Sequence, residues 1–247
     1  MKTVFVNCSP KKKMSVSGYL NTLAALGIKG ERVKEQVRNK GDHERVLSQI
    51  KEAEAVVFSM PLFVDSVPSH IMNFLADMEA FCLEKGIAPK VYVIANNGFI
   101  EGRQNKALMQ VMQNFCKRAH LPFGGGIAVG GGVMLNVTRI LFPIQCGLVV
   151  FSSLMNGLQR GDFMLREALL AFIELALVMT VLHCGVLFFG ARLIKTINRR
   201  GECSVGYTRM MLPSFLFALV ADIFFIIISI FGGGIFKGWL ARKTEEQ

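Results

Sequence analysis

Through the first half of the chain, short apolar runs bounded by turn residues alternate with longer amphipathic stretches. Val4, Phe5 and Val6 form a run of β-formers that breaks at Asn7-Cys8-Ser9-Pro10. Gly18–Leu26 predicts a helix closed by Gly27, and Glu31–Val37 predicts a short edge strand. Asp42 stands at the N-cap of an amphipathic helix over Asp42–Glu52. Ala55–Ser59 (AVVFS) and Val91–Ala95 (VYVIA) are apolar on both faces, as central strands of a parallel sheet are. Ser69–Lys85, with Met72, Leu75, Met78 and Cys82 along one face, and Gln104–Ala119 predict helices. Ile127–Val129, between two glycine triplets, predicts the last strand. The order β-α-β-α-β-α-β-α-β belongs to the α/β class. It best fits a doubly wound, five-stranded parallel sheet in the order 2-1-3-4-5.

The pattern changes in the second half. Two runs, 168–191 and 210–236, are long enough to cross a hydrocarbon core of about 30 Å as helices, and 140–158 is marginal. The chain therefore divides into an α/β domain over 1–135 and a membrane region over 136–247. Three spans put the loop carrying Arg192, Lys195, Arg199, Arg200 and Arg209 on the same side as the α/β domain, in keeping with positive-inside orientation. The expected location is the cell membrane, with the α/β domain facing the cytoplasm. With two spans, 140–158 is instead a buried or interfacial helix. Glu174, His183 and Asp222 fall inside the apolar runs, and equal depth pairs His183 with Asp222 across two antiparallel helices.

Charge narrows the partners. The 28 Lys and Arg against 18 Asp and Glu leave a net +10, which suits a membrane surface or a phosphorylated cofactor. No recognition helix, RNP motif or zinc-finger spacing points to nucleic acid. The six cysteines stand far apart with no C-x-x-C, which argues against a metal centre and fits a reducing compartment.

The least ordinary loops lie where the sheet order reverses. Ser9–Ser17 follows the first strand, Met60–Pro68 the third, and Asn96–Arg103 the fourth. A ligand of such a sheet binds beyond the carboxyl ends of the strands at this switch point. Ser9, Ser15 and Ser17 offer hydroxyls, Lys11, Lys12 and Lys13 offer charge, and the start of the helix that follows offers free N–H groups, together a phosphate cradle. His70 opens a helix beside the second loop and reads better as a surface or capping residue than as a proton donor. Cys8 reads as a small buried apolar group.

These loops resemble the motifs of the flavodoxin-fold NAD(P)H-dependent FMN reductase-like oxidoreductases, particularly their clostridial-type branch. Ser9-Pro10-Lys11 with Ser15-Val16-Ser17 is similar to the family's phosphate loop, with Lys11 where arginine is usual. Pro61-Leu62-Phe63-Val64-Asp65-Ser66-Val67-Pro68 resembles the loop beside the isoalloxazine ring, with Phe63 replacing a tyrosine. Asn96-Asn97-Gly98-Phe99-Ile100-Glu101-Gly102-Arg103 is similar to the third flavin loop, and Gly124–Gly126 with Gly130–Gly132 to the glycine-rich stretch that follows. The resemblance covers about 1–135.

It implies a flavodoxin-like domain that binds FMN through Ser9, Lys11, Ser15, Val16, Ser17, Pro61, Leu62, Phe63, Asp65, Ser66, Asn96, Asn97, Gly98 and Phe99. NAD(P)H is the implied reductant, and a quinone, flavin or other small molecule the acceptor. Flavin chemistry needs little from side chains, so no catalytic acid or base is assigned. The resulting expectation is a membrane-anchored, FMN-dependent NAD(P)H oxidoreductase in contact with membrane lipid, with a homodimer as an open arrangement. The alternative is a non-catalytic flavodoxin-like membrane protein that senses redox state, docks a partner or carries electrons.

Overall fold

The computed structural model describes residues 1–12 and 14–231. Residues Met1–Met211 form one compact unit, and the chain from Leu212 onward forms a second.

The first unit is built on a parallel sheet. Its strands are β1 (Lys2–Asn7), β2 (Glu31–Gln36), β3 (Ala55–Pro61), β4 (Lys90–Asn96), β5 (Phe123–Val129) and β6 (Gly206–Tyr207), in the order β2-β1-β3-β4-β5-β6. The first five follow the expected 2-1-3-4-5 order, but the sheet has six strands. β6 is only two residues long, too short to leave a periodic signal. It pairs with Ile127 and Ala128 of β5. Thr208 N–H then donates to Ala128 O at 2.9 Å, and Met210 N–H to Ile100 O at 3.1 Å.

Helices α1 (Val16–Leu26), α2 (His43–Ile50), α3 (Ser69–Lys85) and α4 (Lys106–Arg118) connect the strands. Alternate strand residues face two separate cores, as the pleat requires. Val4, Val6, Val56, Phe58, Val91 and Val93 pack with α2, α3 and α4. Phe5, Val57, Tyr92 and Ile94 face the other way, with Leu20, Ala24 and Ala25 of α1.

The second core is closed by a helix from far down the chain. After β5 come α5 (Gly132–Arg160), α6 (Leu165–Leu182) and α7 (Cys184–Asn198). Leu193 and Ile197 of α7 are fully buried against α1 and the sheet. Asn198 ties the end of α7 to the end of α1: its Nδ2 donates to Gly27 O, and its Oδ1 accepts from Lys29 N–H, both at 2.8 Å. Gly27 permits this approach, since a Cβ there would stand 2.8 Å from Ile194. Tyr92 Oη donates to Gly201 O at 2.9 Å, so residues beyond α7 also lie on the sheet. The α/β layer thus draws on residues well beyond 135.

This arrangement changes the expected spans. The 140–158 run lies inside the continuous 29-residue α5, which is long and apolar enough to cross a membrane, an 18-residue stretch of it having a mean hydropathy of 1.7. The 168–191 run is not one helix: α6 and α7 meet at a 70° bend. The break at His183 lets Gly185 pass close to β6, where an added Cβ would meet Thr208 at 3.3 Å. α6 is left with no buried residue, while α7 turns back onto the sheet. His183 Nε2 lies 3.3 Å from Thr138 Oγ1.

In the second unit, α8 (Ser214–Phe231) is apolar along its length apart from Asp222 and the serines. The remainder of the 210–236 run and the Lys237–Gln247 tail lie outside the described residues.

Candidate functional site

The carboxyl ends of β1, β3 and β4 meet at a cavity of about 180 Å³. Ser9, Lys11, Ser15, Val16, Ser17, Pro61, Leu62, Phe63, Asn96, Asn97 and Gly98 line it, so the fold brings eleven of the sequence-predicted residues together. Asp65, Ser66 and Phe99 do not line it. Gly132 and Val133, at the start of α5, do.

The first wall is an ordered turn. Asn7, the last residue of β1, accepts from Ser9 N–H at 3.1 Å and donates through Nδ2 to Ser15 Oγ at 3.3 Å. Ser15 is the N-cap of α1 and its Oγ accepts from Gly18 N–H at 3.0 Å. Gln36 Nε2 donates to the carbonyls of Ser9 and Lys11, both at 2.9 Å, and fastens the turn to β2.

A polar spine runs across the floor. Asn96 Nδ2 donates to Ser17 Oγ at 2.9 Å and to Met60 O at 3.0 Å. Ser59 Oγ donates to Ser17 O at 2.8 Å. Ser17 and Asn96 are almost fully buried, so these bonds are required to offset their desolvation.

These bonds decide what the cavity can hold. A hydroxyl has one proton to give and two lone pairs. Ser15 Oγ already accepts twice and Ser17 Oγ once, so each keeps its proton for another partner. The N–H groups of Val16 and Ser17 are first-turn donors with no intrahelical acceptor. Lys11 adds a cation. One end of the cavity therefore presents donors and positive charge, the complement of a phosphate group.

The other walls carry Pro61, Leu62 and Phe63. Leu62 N–H donates to Asn96 O at 2.8 Å, which places Pro61–Phe63 over the end of β4. Phe63 and Ser66 exchange backbone hydrogen bonds at 3.0 and 3.1 Å around a two-residue turn. Val64 (φ 46°) and Asp65 (φ 54°) sit in the left-handed region, which is costly for a β-branched residue. Phe63 is 45% and Phe99 60% exposed, and both stand beside the cavity loops rather than inside the core. Asn97 Oδ1 accepts from Phe99 N–H at 3.1 Å, and Asn97 Nδ2 donates to Glu101 O at 3.0 Å, so one side chain shapes the third loop. Glu101 itself pairs with Arg209 at 3.1 Å on the surface.

The start of α5 joins the site through a close backbone approach. Gly132 N–H donates to Asn97 O at 2.7 Å, and a Cβ on Gly132 would stand 2.7 Å from that same oxygen. Gly132 stood out in the sequence only as part of the triplet Gly130–Gly132, which did not point to the cleft, and Val133 carried no signal. Asn7, Gln36 and Ser59 act behind the lining residues and carried no sequence signal.

Two titratable groups near the cavity stay neutral. Burial pushes the Cys8 thiol well above its ordinary value, consistent with a packing role. Burial also holds His70 below the usual imidazole value, against the opposing pull of the Val37 and Cys8 carbonyls. Among the described residues, no cluster of His, Cys, Asp or Glu is arranged to hold a metal.

No protein-family model and no curated protein sequence matches the chain. Solved structures superpose on about half of the chain at low identity. An NADPH-quinone reductase from P. pentosaceus superposes with a TM-score of 0.46 at 13% identity, over 53% of this chain and 86% of that one. The Trp repressor binding protein from Bacillus subtilis gives 0.43 at 15%, over 52% and 84%. An NADH:FMN oxidoreductase in its apo form gives 0.41 at 13%, over 52% and 73%.

Proposed function

We propose that this chain is an FMN-binding oxidoreductase held at a membrane, taking reducing equivalents from NAD(P)H and passing them to a lipid-soluble or other small acceptor. The observation that carries the reading is the donor-lined end of the strand-end cavity. There the Ser15 and Ser17 hydroxyl protons, two first-turn N–H groups and Lys11 converge beside apolar, aromatic-bearing loops. That combination suits a molecule with a phosphate at one end and a flat ring at the other.

At about 180 Å³ the cavity is smaller than the roughly 300–1,000 Å³ of enclosed ligand pockets. It suits the phosphate and chain of such a molecule, leaving the ring to lie over Leu62, Phe63 and Gly98. When bound, FMN supplies the two-electron chemistry. The chain's own residues bind and orient it. Ser15, Ser17 and the α1 terminus hold the phosphate, and Asn96 fixes the Ser17 hydroxyl. Asn97 holds the third loop in place, and exposed Phe63 and Phe99 border the open side from which a nicotinamide would approach. Among the described residues, Lys11 is the sole ionisable side chain lining the cavity, so proton transfer is not assigned to a protein group there.

Membrane attachment rests on α5 and α6. From Ile140 to Arg160, α5 spans about 31 Å at 1.5 Å per residue, close to the hydrocarbon thickness. Leu148, Phe151, Leu154, Leu165, Leu169 and Leu177 are all exposed along the two helices, a patch that water would penalise. A hairpin that leaves and returns puts residues 192–210 back on the α/β side, matching the positive-inside expectation.

The test is the visible spectrum of the detergent-solubilised protein, followed by anaerobic addition of NADH or NADPH. Flavin absorbance that bleaches with nicotinamide is the expected result. No flavin absorbance after soaking in FMN would end the reading. Bleaching with dithionite alone would make the protein an electron carrier or sensor.

A further inference from the structure

A cavity of about 500 Å³ lies apart from the strand-end cleft, between α1, the start of α5, the end of α6 and α7. A second, of about 320 Å³, continues from it along α7 toward the sheet, and Leu20, Leu23, Val186 and Leu187 line both. Each falls within the range of about 300–1,000 Å³ found for small-molecule sites.

The walls are apolar, and the polar groups gather at one end. There Arg139 lies 4.8 Å over the ring of Tyr19, a cation–π contact that steadies both side chains. Thr138 Oγ1 donates to Leu135 O at 3.1 Å, so its 3.3 Å contact with His183 Nε2 takes the imidazole N–H as donor. In the neutral ring this tautomer leaves Nδ1 as an acceptor. The opposite end is kept open. Gly190 lines the second cavity, and a Cβ added there would meet nothing within 4 Å. Glycine inside a helix is a destabilising choice where a side chain would fit.

We infer that this double cavity binds a lipid-soluble quinone, its acceptor oxygens at the Tyr19 hydroxyl and the Arg139 guanidinium and its apolar tail along Leu23 and Gly190. Three observations select that class: hydrogen-bonding groups at one end only, an apolar channel long enough for a tail, and a first cavity walled in part by α5 and α6, whose outer faces are exposed and apolar. A ligand dissolved in lipid reaches such a site without crossing water. The cavity also neighbours the strand-end cleft. Along α5, Val133 lines the cleft and Thr138 the cavity, about 7.5 Å apart at 1.5 Å per residue. The role of this quinone as electron acceptor rests on the function proposed above, whereas its binding does not. As acceptor, it gains the hydride equivalent given up by NAD(P)H together with one proton, and leaves as the quinol.

The experiment uses the full chain in phospholipid nanodiscs with a tritiated azido derivative of decylubiquinone. Expected is saturable photolabelling within Tyr19–Ala24 or Met179–Ile194. Decylubiquinone should compete, and the tail-less ring at the same concentration should not. Gly190→Phe plugs the channel and should weaken binding about ten-fold, with Leu23→Trp as a second plug; both should retain wild-type circular dichroism. Label spread without saturation over the outer faces of α5 and α6, label confined to Phe63 and Phe99, or binding undiminished in both plugged variants would each overturn the site. Saturable labelling of a protein that neither holds FMN nor oxidises NAD(P)H would keep the site and remove the reductase reading. FMN turnover without saturable labelling would do the reverse.

Discussion

β3 and α6 are both predominantly apolar, yet they meet opposite surroundings. Six of the seven residues of β3 are buried, while α6 buries none of its eighteen. Apolar content alone therefore does not identify the solvent a segment faces; its neighbours do. α7 shows the same point from the middle ground. It continues the apolar run of α6, but the bend at His183 lays its second half on the sheet, where Leu193 and Ile197 disappear from solvent. Small residues at Gly27 and Gly206 leave room for that contact.

The contrast can be broken from either side. The largest effect is expected at Ile197, fully buried in the second core. Ile197→Ala should cost about 2–5 kcal/mol of stability, read as a lower urea midpoint by far-UV circular dichroism. A shift as small as that of an exposed residue would mean that α7 does not belong to the core. On the hairpin, Phe151→Lys should leave the α/β unit folded but oppose membrane insertion by about 2.5–3.5 kcal/mol if it faces the hydrocarbon centre. Fractionation of membranes after alkaline washing would show it, and unchanged retention would break the contrast.

Next in size is the cleft itself. Ser15→Ala removes one hydroxyl donor and the α1 cap, and the loss of a hydrogen bond to a charged group, about 1.5–3 kcal/mol, should weaken FMN binding roughly ten-fold or more. Titration followed by flavin fluorescence measures this directly. Unchanged affinity would separate the donor-lined cavity from phosphate binding.

The smallest effect concerns His70. Burial holds its folded value below the ordinary 6.5, so on acidification the unfolded chain takes up a proton before the folded one does. Its contribution to stability is therefore full above about pH 6.5 and declines as the pH falls from there to the depressed folded value. His70→Gln should flatten that part of the stability–pH curve, and an unaltered slope would assign the dependence elsewhere.

Much of the sheet was legible from sequence because its strands obey local rules. Ala55–Ser59 and Val91–Ala95 are compact apolar runs between turn residues, and the connecting helices carry their own apolar stripes. The loops of the cleft were legible for a different reason: Ser9–Ser17, Met60–Pro68 and Asn96–Arg103 depart from ordinary loop composition where the strand order reverses. What stayed hidden depends on contacts between distant residues. β6 is two residues long and exists only because β5 offers an open edge. The bend at His183 has no proline or charge to announce it. Asn7, Gln36 and Ser59 look like ordinary polar residues until their partners are known. Gly132 belongs to the cleft because its backbone reaches Asn97, a contact that no spacing along the chain encodes.

The position of α7 also sets an order of assembly. The strands that bear the strand-end cleft are all synthesised before the hairpin, but the helix that covers one face of their sheet is synthesised after it. Until α7 arrives, Phe5, Tyr92 and Ile94 lack part of their cover. At about 5–20 residues per second, the ribosome leaves that face incomplete for several seconds. A chain whose hairpin fails to fold back cannot deliver Leu193 and Ile197 to their places. The α/β unit then stays unfinished and exposed to proteolysis, so completion of the sheet's cover reports that the α5–α6 hairpin has been made correctly.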